Sequence, residues 1–409
     1  MPHRKISRGP PELMTILFEV ASNIQIKDIE YVLEFGCDEV DCYYGGLYKV
    51  TITGYRNGCK VKKKYIIKWH SDPKKRNAFR KAHKREFLFY QKIIPAYLEI
   101  QNRFKVIEGL KTKFPNCDFA CCDKGREAIV VSETQGYKVH DRFQKLSLDH
   151  VSLAVKNLAK LHALSFVLEK SQPEKFEEIK KACYFDVQYA DVELMPKSLF
   201  SYYEVSVNVV KDASAKKKLQ DNISNVLRIL HKCAMPDTKY STICHGDCWN
   251  NNILYKYQKS RPVDVMFIDC QLLRYASPVT DISYYLYMTT DHEFRLKYYD
   301  HVLSLYYWTL SAVLRQCDWD INEIYPESIF QQHLKDYSVF GLIEALISMK
   351  IITAEIEDAH KMTEVKYELT EEGSCGSELQ NSLLYEQRVN GVVNDFFSRN
   401  YSLDAVLSK

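Results

Sequence analysis

Residues 243–254 read ICHGDCWNNNIL and bring together a His, an Asp, two Cys, a Trp and three consecutive Asn. A solvated turn does not need so many different side-chain chemistries. Asp247 follows His245-Gly246, and Asn252 comes five positions after Asp247. A strand–turn–strand pattern then leads to Phe267-Ile268-Asp269. Two carboxylates and an amide are therefore expected at the ends of adjacent hairpin strands. Phosphoryl transfer uses such a set. One carboxylate orients the attacking hydroxyl and takes its proton. Another binds Mg²⁺, a hard ion that prefers oxygen ligands, and an amide oxygen completes the coordination without adding charge. The same stretch admits a second reading, in which Cys244, His245 and Cys248 offer sulfur and nitrogen to zinc. Against it, no paired Cys-x-x-Cys lies nearby, and Cys117, Cys121 and Cys122 have the wrong spacing.

Several elements must position these residues. The segment 13–35 reads as one amphipathic helix. Two β-rich runs follow, within 48–70, with Asn57-Gly58 between them as a hairpin signal. The second run closes on Tyr65-Ile66-Ile67-Lys68-Trp69, so a lone Lys ends an apolar strand. Alone, Lys68 reads as a strand-end lysine with its head in water, and Glu86 as an ordinary helix charge. The apolar spacing of Phe79, Ala82, Phe87, Tyr90, Ile93 and Ile94 predicts a helix that Pro95 ends. Short apolar runs near 117–122 and 128–133 read as strands. After Gln135-Gly136 the pattern turns helical. Ser147 is the expected N-cap of a helix over 147–169, with Asp149 favouring its first turn. Further helical patterns fill 173–190, 196–235 and most of 292–409. They are interrupted by the NILYKYQ–VDVMFID hairpin with a Lys-Ser-Arg-Pro turn, and 364–380 reads as an exposed loop. His162 sits on an apolar helix face and reads as a hydrogen-bonded core histidine under the 243–254 loop.

The motifs CHGDCWNNNILY (244–255), VMFIDCQ (265–271) and SPVTDISYYLY (277–287) carry a resemblance. The chain resembles the ecdysteroid kinase-like group, found mainly in insects, of the choline/aminoglycoside kinase-like superfamily. The resemblance spans roughly residues 35–350. It implies an α+β, protein kinase-like two-lobed fold with a small β-rich N-lobe and a large, mainly helical C-lobe. The division would be a helical extension at 1–35, a nucleotide-binding N-lobe at 36–135 and a catalytic C-lobe at 136–409. Carried over position by position, the resemblance implies Asp247 as catalytic base with His245 bracing its loop. Asn252 and Asp269 would be Mg²⁺ ligands, and Lys68 would contact the ATP α- and β-phosphates. Glu86 would hold Lys68, Glu133 would belong to the adenine-binding hinge, and Asp281 would bond the loop backbone. Asn250 and Asn251 would shape the loop. Gly45-Gly46 stands where the family has its phosphate-covering turn, but the usual polar residue after it is missing. Glu133-Thr134-Gln135 departs from the family's Glu-Asp-Leu.

The expectation is an ATP- and Mg²⁺-dependent small-molecule kinase acting on an alcohol, an ecdysteroid-like steroid or xenobiotic. Alternatives are a choline/ethanolamine-type kinase and a kinase-fold binding protein with little catalysis. A protein kinase is disfavoured, because only about a dozen residues separate Asp269 from Asp281 and no Ala-Pro-Glu triplet appears. The 409 residues suffice for one large two-lobed domain or two to three ordinary ones. A net charge of +3 gives no global excess for nucleic acid, and the Lys60–Arg85 cluster reads as an ordinary exposed face. The 13 Cys are scattered, as expected of reduced thiols in the cytosol. No membrane insertion and no obligate protein partner are expected.

Overall fold

The computed structural model describes residues 5–6, 10–35, 46–183, 197–237, 239–355, 358–359, 362 and 381–408. Gly45, the 364–380 segment and the 184–190 end of an expected helix lie outside the described residues. Two compact units form: residues 1–95 with 114–136, and residues 96–113 with 137–409.

The first unit is built on a six-stranded antiparallel sheet. Its strands are β1 (Lys5–Ile6), β2 (Lys27–Phe35), β3 (Leu47–Arg56), β4 (Cys59–Trp69), β5 (Cys117–Cys121) and β6 (Ala128–Ser132), in the order β1-β2-β3-β4-β6-β5. Strand β3 alternates between buried and partly exposed positions until its last two residues, the period-2 pattern of a strand with one covered face. Asn57 and Gly58 both take positive φ (52° and 77°), the conformation a two-residue β3–β4 turn requires.

Helix α1 (Pro11–Asn23) buries Leu13, Ile16, Leu17 and Val20. Their i, i+3, i+4, i+7 spacing puts them on one face. That face packs on Leu33, Val50, Ile52, Tyr65, Ile67, Trp69 and Val130. The expected single helix over 13–35 is thus corrected to a helix and then a strand. Ile24 caps the helix and Gln25 takes a left-handed φ of 58°, which breaks the helical path. Beyond it, Ile29, Tyr31 and Leu33 pack against the same core while Val32 between them is exposed, an alternation that suits a strand and not a helix face.

Helices α2 (Pro73–Ala78) and α3 (Arg80–Leu88) come after the strand that ends in Lys68 and Trp69. A π-helical turn, Phe89–Ile93, then runs into α4 (Ile94–Arg103). Pro95 therefore does not end the helix. The wider π turn resets the hydrogen-bond register just before it, leaving proline in the first turn of α4, where its missing N–H costs least.

The second unit is mainly helical. Its elements are β7 (Tyr137–Val139), α5 (Leu148–Ser171), α6 (Pro173–Cys183), α7 (Lys197–Asn208), α8 (Ala213–Asp221) and α9 (Val226–Ala234). Next come β8 (Thr242–Cys244), β9 (Ile253–Gln258), β10 (Arg261–Phe267) and β11 (Arg274–Ala276). The chain closes with α10 (Val279–Thr289), α11 (His292–Gln316), α12 (Ile321–Ile324), α13 (Glu327–Thr353) and α14 (Ser382–Ser398). Ser147 caps α5, its Oγ accepting from the His150 N–H. Helix α5 packs against α11, β8 and β10. Among the described residues it alone is long and apolar enough to cross a membrane, yet 78% of its most apolar window is buried in the protein. It also carries buried Asn157, His162 and Ser165, so it reads as a core helix.

Strands β9 and β10 form the expected hairpin, with β7 added on the far side of β9. The turn is tighter than the sequence suggested: Arg261 already pairs with Gln258, and Lys259 takes φ 57°. Strands β8 and β11 form a separate two-stranded ladder.

The α1–sheet core sets the stability of the first unit. Leu17 is 1% exposed, so Leu17→Ala should cost about 2–5 kcal/mol. Urea denaturation followed by tryptophan fluorescence should show the midpoint fall with its slope unchanged.

Candidate active site

The loop joining β8 to β9 holds residues 245–252, and Asp281 on α10 holds the loop. One Asp281 carboxylate oxygen accepts the His245 N–H at 2.6 Å and the other accepts the Gly246 N–H at 2.9 Å. His162 Nε2 lies 3.1 Å from Asp281 Oδ2, and Tyr306 OH bonds the other imidazole nitrogen at 2.7 Å. Arg274 lies 3.7 Å from the same carboxylate and donates to the Gly246 carbonyl at 3.3 Å. Asp281 is fully buried. Burial would raise its pKa, but the hydrogen bond and charge of His162, then Arg274 and His245, hold it down at about 2.

Gly246 has φ +88°, and a Cβ there would stand 1.9 Å from the Leu272 carbonyl oxygen. Only glycine can bring this loop so close to the Leu272 backbone. His245 accepts the Asp247 N–H on Nδ1 at 3.2 Å, which makes Nε2 the donor to the Ile268 carbonyl at 3.0 Å. Burial lowers the His245 pKa, in keeping with a neutral ring in this bridge.

Asp247 is 8% exposed. Its Oδ1 accepts from Tyr284 OH at 2.6 Å and its Oδ2 from Asn252 Nδ2 at 2.9 Å. Asn252 Nδ2 also bonds the Asp247 carbonyl at 2.9 Å. The amide nitrogen is thus spent on Asp247, leaving Asn252 Oδ1 as the side-chain atom open to a cation. The β9–β10 register pairs Ile253 with Phe267, and the Ile268 N–H bonds the Asn252 carbonyl at 3.0 Å. Asn252 and Asp269 therefore sit at the same end of the hairpin. Asp269 takes a left-handed backbone (φ 63°, ψ 58°), which is uncommon outside glycine and is found at sites that aim a side chain. An amide oxygen and a carboxylate are the donor types that suit Mg²⁺.

In the first unit, Lys68 Nζ lies 2.6 Å from Glu86 Oε2, and Glu86 is 3% exposed. The Glu133 N–H bonds the Lys64 carbonyl at 2.9 Å, and its carboxylate meets Lys64 Nζ at 3.4 Å. Gly46 accepts the Trp69 N–H at 3.1 Å, and a Cβ at Gly46 would come within 2.7 Å of the Trp69 carbonyl oxygen.

The zinc reading does not survive this geometry. His245 spends both ring nitrogens on backbone groups, the Asp247 N–H and the Ile268 carbonyl. Burial pushes the Cys244 and Cys248 thiols well up. The Cys244 Sγ lies 3.5–3.6 Å from the backbone carbonyls of residues 242, 276 and 277, one of which takes its single S–H. His162, Cys244 and Asp281 do cluster, but Asp281 is committed to the loop N–H groups.

Sequence reasoning missed Arg274 and Tyr284. Tyr284 had a usable signal, since it follows Asp281 by one helical turn and shares its face. Arg274 had none, because only the β8–β11 register, which pairs it with Cys244, brings it to the loop.

The low Asp281 pKa carries a stability consequence. A carboxyl depressed from 3.8 to about 2 contributes stability that is full above its unfolded value and is lost as pH falls through its folded value. Wild type should exceed Asp281→Asn by about 2 kcal/mol at pH 6. Denaturation at pH 6, 4 and 2.5 should show that gap narrowing only below about pH 4.

The sequence matches the profile of the ecdysteroid kinase-like family over residues 39–319, more than half of the chain. No curated protein sequence matches it. Among solved structures it is similar to a Plasmodium vivax ethanolamine kinase (13% identity, 82% of this chain and 81% of that one, TM-score 0.41). It is also similar to a microcompartment-associated aminopropanol kinase (12% identity, 95% and 99% coverage, TM-score 0.45). A glucosamine kinase in complex with glucosamine, ADP and inorganic phosphate is a third (12% identity, 88% and 86% coverage, TM-score 0.38). A small antiparallel-sheet unit followed by a larger helical one is the kinase-like fold, and the chain belongs to the ecdysteroid kinase-like family of small-molecule kinases.

Proposed function

We propose that this protein transfers the γ-phosphate of ATP to the hydroxyl of a small alcohol, with an ecdysteroid-like steroid as the leading acceptor. The observation that carries this reading is the Asp247–Asn252–Asp269 set, held at one hairpin end by a loop fixed to Asp281. Asp247 is the proposed base. Each carboxylate oxygen has two lone pairs, so the bonds from Tyr284 and Asn252 leave room for the acceptor O–H. Its oxygen attacks the γ-phosphorus, the bond to the β–γ bridging oxygen breaks, ADP leaves, and the hydroxyl proton passes to Asp247. Asn252 Oδ1 and Asp269 would hold Mg²⁺, which when bound neutralises charge on the phosphate oxygens. In the first unit, Lys68, fixed by Glu86, is the residue proposed to meet the α- and β-phosphates, and the Glu133 segment is proposed to contact adenine through its backbone.

Asp247→Ala and Asp269→Ala should each lower turnover by about 10²–10⁴-fold while leaving the circular dichroism spectrum unchanged. Near-wild-type turnover in both would overturn the assignment. A nucleotide titration with and without Mg²⁺ separates a kinase from an inert binder, because only the kinase requires the metal for tight ATP binding. Tyr284→Phe removes one hydrogen bond to the base without changing its volume much. Turnover should fall about 10- to 100-fold at an unchanged KM for ATP, the size expected for a bond to a charged group.

A further inference from the structure

Helix α11 reaches the loop anchor through the hydroxyl of Tyr306. That hydroxyl meets His162 Nδ1 at 2.7 Å, and across the ring His162 Nε2 meets Asp281 Oδ2 at 3.1 Å. The same Oδ2 accepts the His245 N–H at 2.6 Å. A chain of hydrogen bonds therefore runs from α11, through side chains of α5 and α10, to the residue that opens the Asp247 loop. Tyr306, His162 and Asp281 are all fully buried. Burial pushes the Tyr306 pKa well up, so its oxygen keeps its proton.

The backbone of His162 is fixed by other means. Its carbonyl accepts from Thr242 Oγ1 at 3.2 Å, and Ser165, one turn on, accepts the Ile243 N–H at 2.8 Å. What is left to orient is the ring. A half-turn about the Cβ–Cγ bond exchanges each ring nitrogen with a carbon. The flipped ring would put carbon against both Tyr306 and Asp281, and would take one donor from the buried carboxylate. The hydroxyl discriminates between the two orientations at either charge, since it donates to a neutral ring and accepts from a protonated one. The Asp281 carboxylate can turn to follow the ring, but Tyr306 cannot. Its ring stacks on Phe330 (centroids 5.6 Å apart, planes at 26°) and meets the imidazole edge-on at 5.8 Å.

We propose that Tyr306 is a positioning residue for phosphoryl transfer. Its hydroxyl holds the His162 ring with Nε2 on Asp281, which keeps the carboxylate on the His245 and Gly246 N–H groups and so sets the place of Asp247. It acts through His162 and Asp281. The effect on turnover rests on the phosphotransferase reading, and the ring orientation does not.

Tyr306→Phe tests it, because the ring and its stacking stay and the hydroxyl goes. Tyr299→Phe is the comparison. Tyr299 lies two turns earlier on α11, is also buried, and has Tyr401 OH as its partner at 3.4 Å. ADP release is measured below the melting temperature with ATP, Mg²⁺ and 20-hydroxyecdysone. Turnover of Tyr306→Phe should fall about 3- to 10-fold at an unchanged KM for ATP, the loss expected for one hydrogen bond. Tyr299→Phe should turn over like wild type. The second readout is the His162 Nε2–H resonance in protein labelled with nitrogen-15 histidine. It is assigned by its absence from His162→Gln or, should that variant not fold, by its Overhauser contact with the His245 N–H. Wild type and Tyr299→Phe should show it exchanging slowly, and Tyr306→Phe should broaden or lose it. Unchanged turnover in Tyr306→Phe, a retained resonance, or equal losses in Tyr299→Phe would overturn the proposal. Absence of ADP release from wild type counts against the proposed function and not against the anchoring, which the imidazole resonance then decides.

Discussion

The buried carboxylate of Asp281 is the interaction on which the site rests. A charge in the protein interior is expensive unless its oxygens are fully used. Asp281 meets that condition by accepting two consecutive loop N–H groups while His162 bonds it and the Arg274 guanidinium lies beside it. The arrangement leaves the loop one shape. Two adjacent N–H groups can point at one carboxylate only if the backbone turns sharply at Gly246. That turn presses the chain against Leu272, which excludes any side chain there. His245 then ties the loop to Ile268, one residue before Asp269. A single buried anion thus fixes where the proposed base and both proposed metal ligands begin.

The surrounding helices are organised around this anchor. Helix α5 brings His162 to Asp281, and its Ser165 accepts the Ile243 N–H at the entrance to the loop. Helix α10 carries Asp281 and, one turn on, Tyr284, so one rigid element holds the loop backbone and touches the Asp247 carboxylate. Preorganisation of this kind removes the need to reorient groups as charge moves. Helix α13 lies close against α10, and Gly341 meets the Ser283 backbone at the crossing. A Cβ at Gly341 would stand 2.4 Å from the Ser283 carbonyl carbon, so a side chain there would push α10 and its Asp281 away. In the first unit the Lys68–Glu86 pair is fixed by the same logic, with a nearly buried carboxylate held by the cation beside it.

The three motifs of the second unit and the Lys68–Glu86 pair were legible because local patterns place them. Lys68 ends an alternating strand, Glu86 sits on a helix, and Asn252 and Asp269 flank a hairpin, although its register slips by one residue between Pro262 and Asp264. What was not legible came from tertiary choices. In segment 13–35 a helix-period run is followed within a few residues by a strand-period one, and the positive φ at Gln25 and pairing with β3 mark where one gives way to the other. Pro95 reads as a stop unless the π turn before it is known. Arg274 reaches Gly246 through a strand pairing with no sequence signature. Tyr306 meets His162 from 144 residues further along the chain, and spacing carries no information about that meeting.

Phosphoryl transfer needs a loop held in one shape, and the Asp281 anchor supplies it. Direct transfer to an alcohol is tested most directly by mass spectrometry of the products after incubating the protein with ATP, Mg²⁺ and a steroid alcohol. One phosphorylated steroid for each ADP formed is the predicted result. ADP and inorganic phosphate with the steroid unmodified would contradict it.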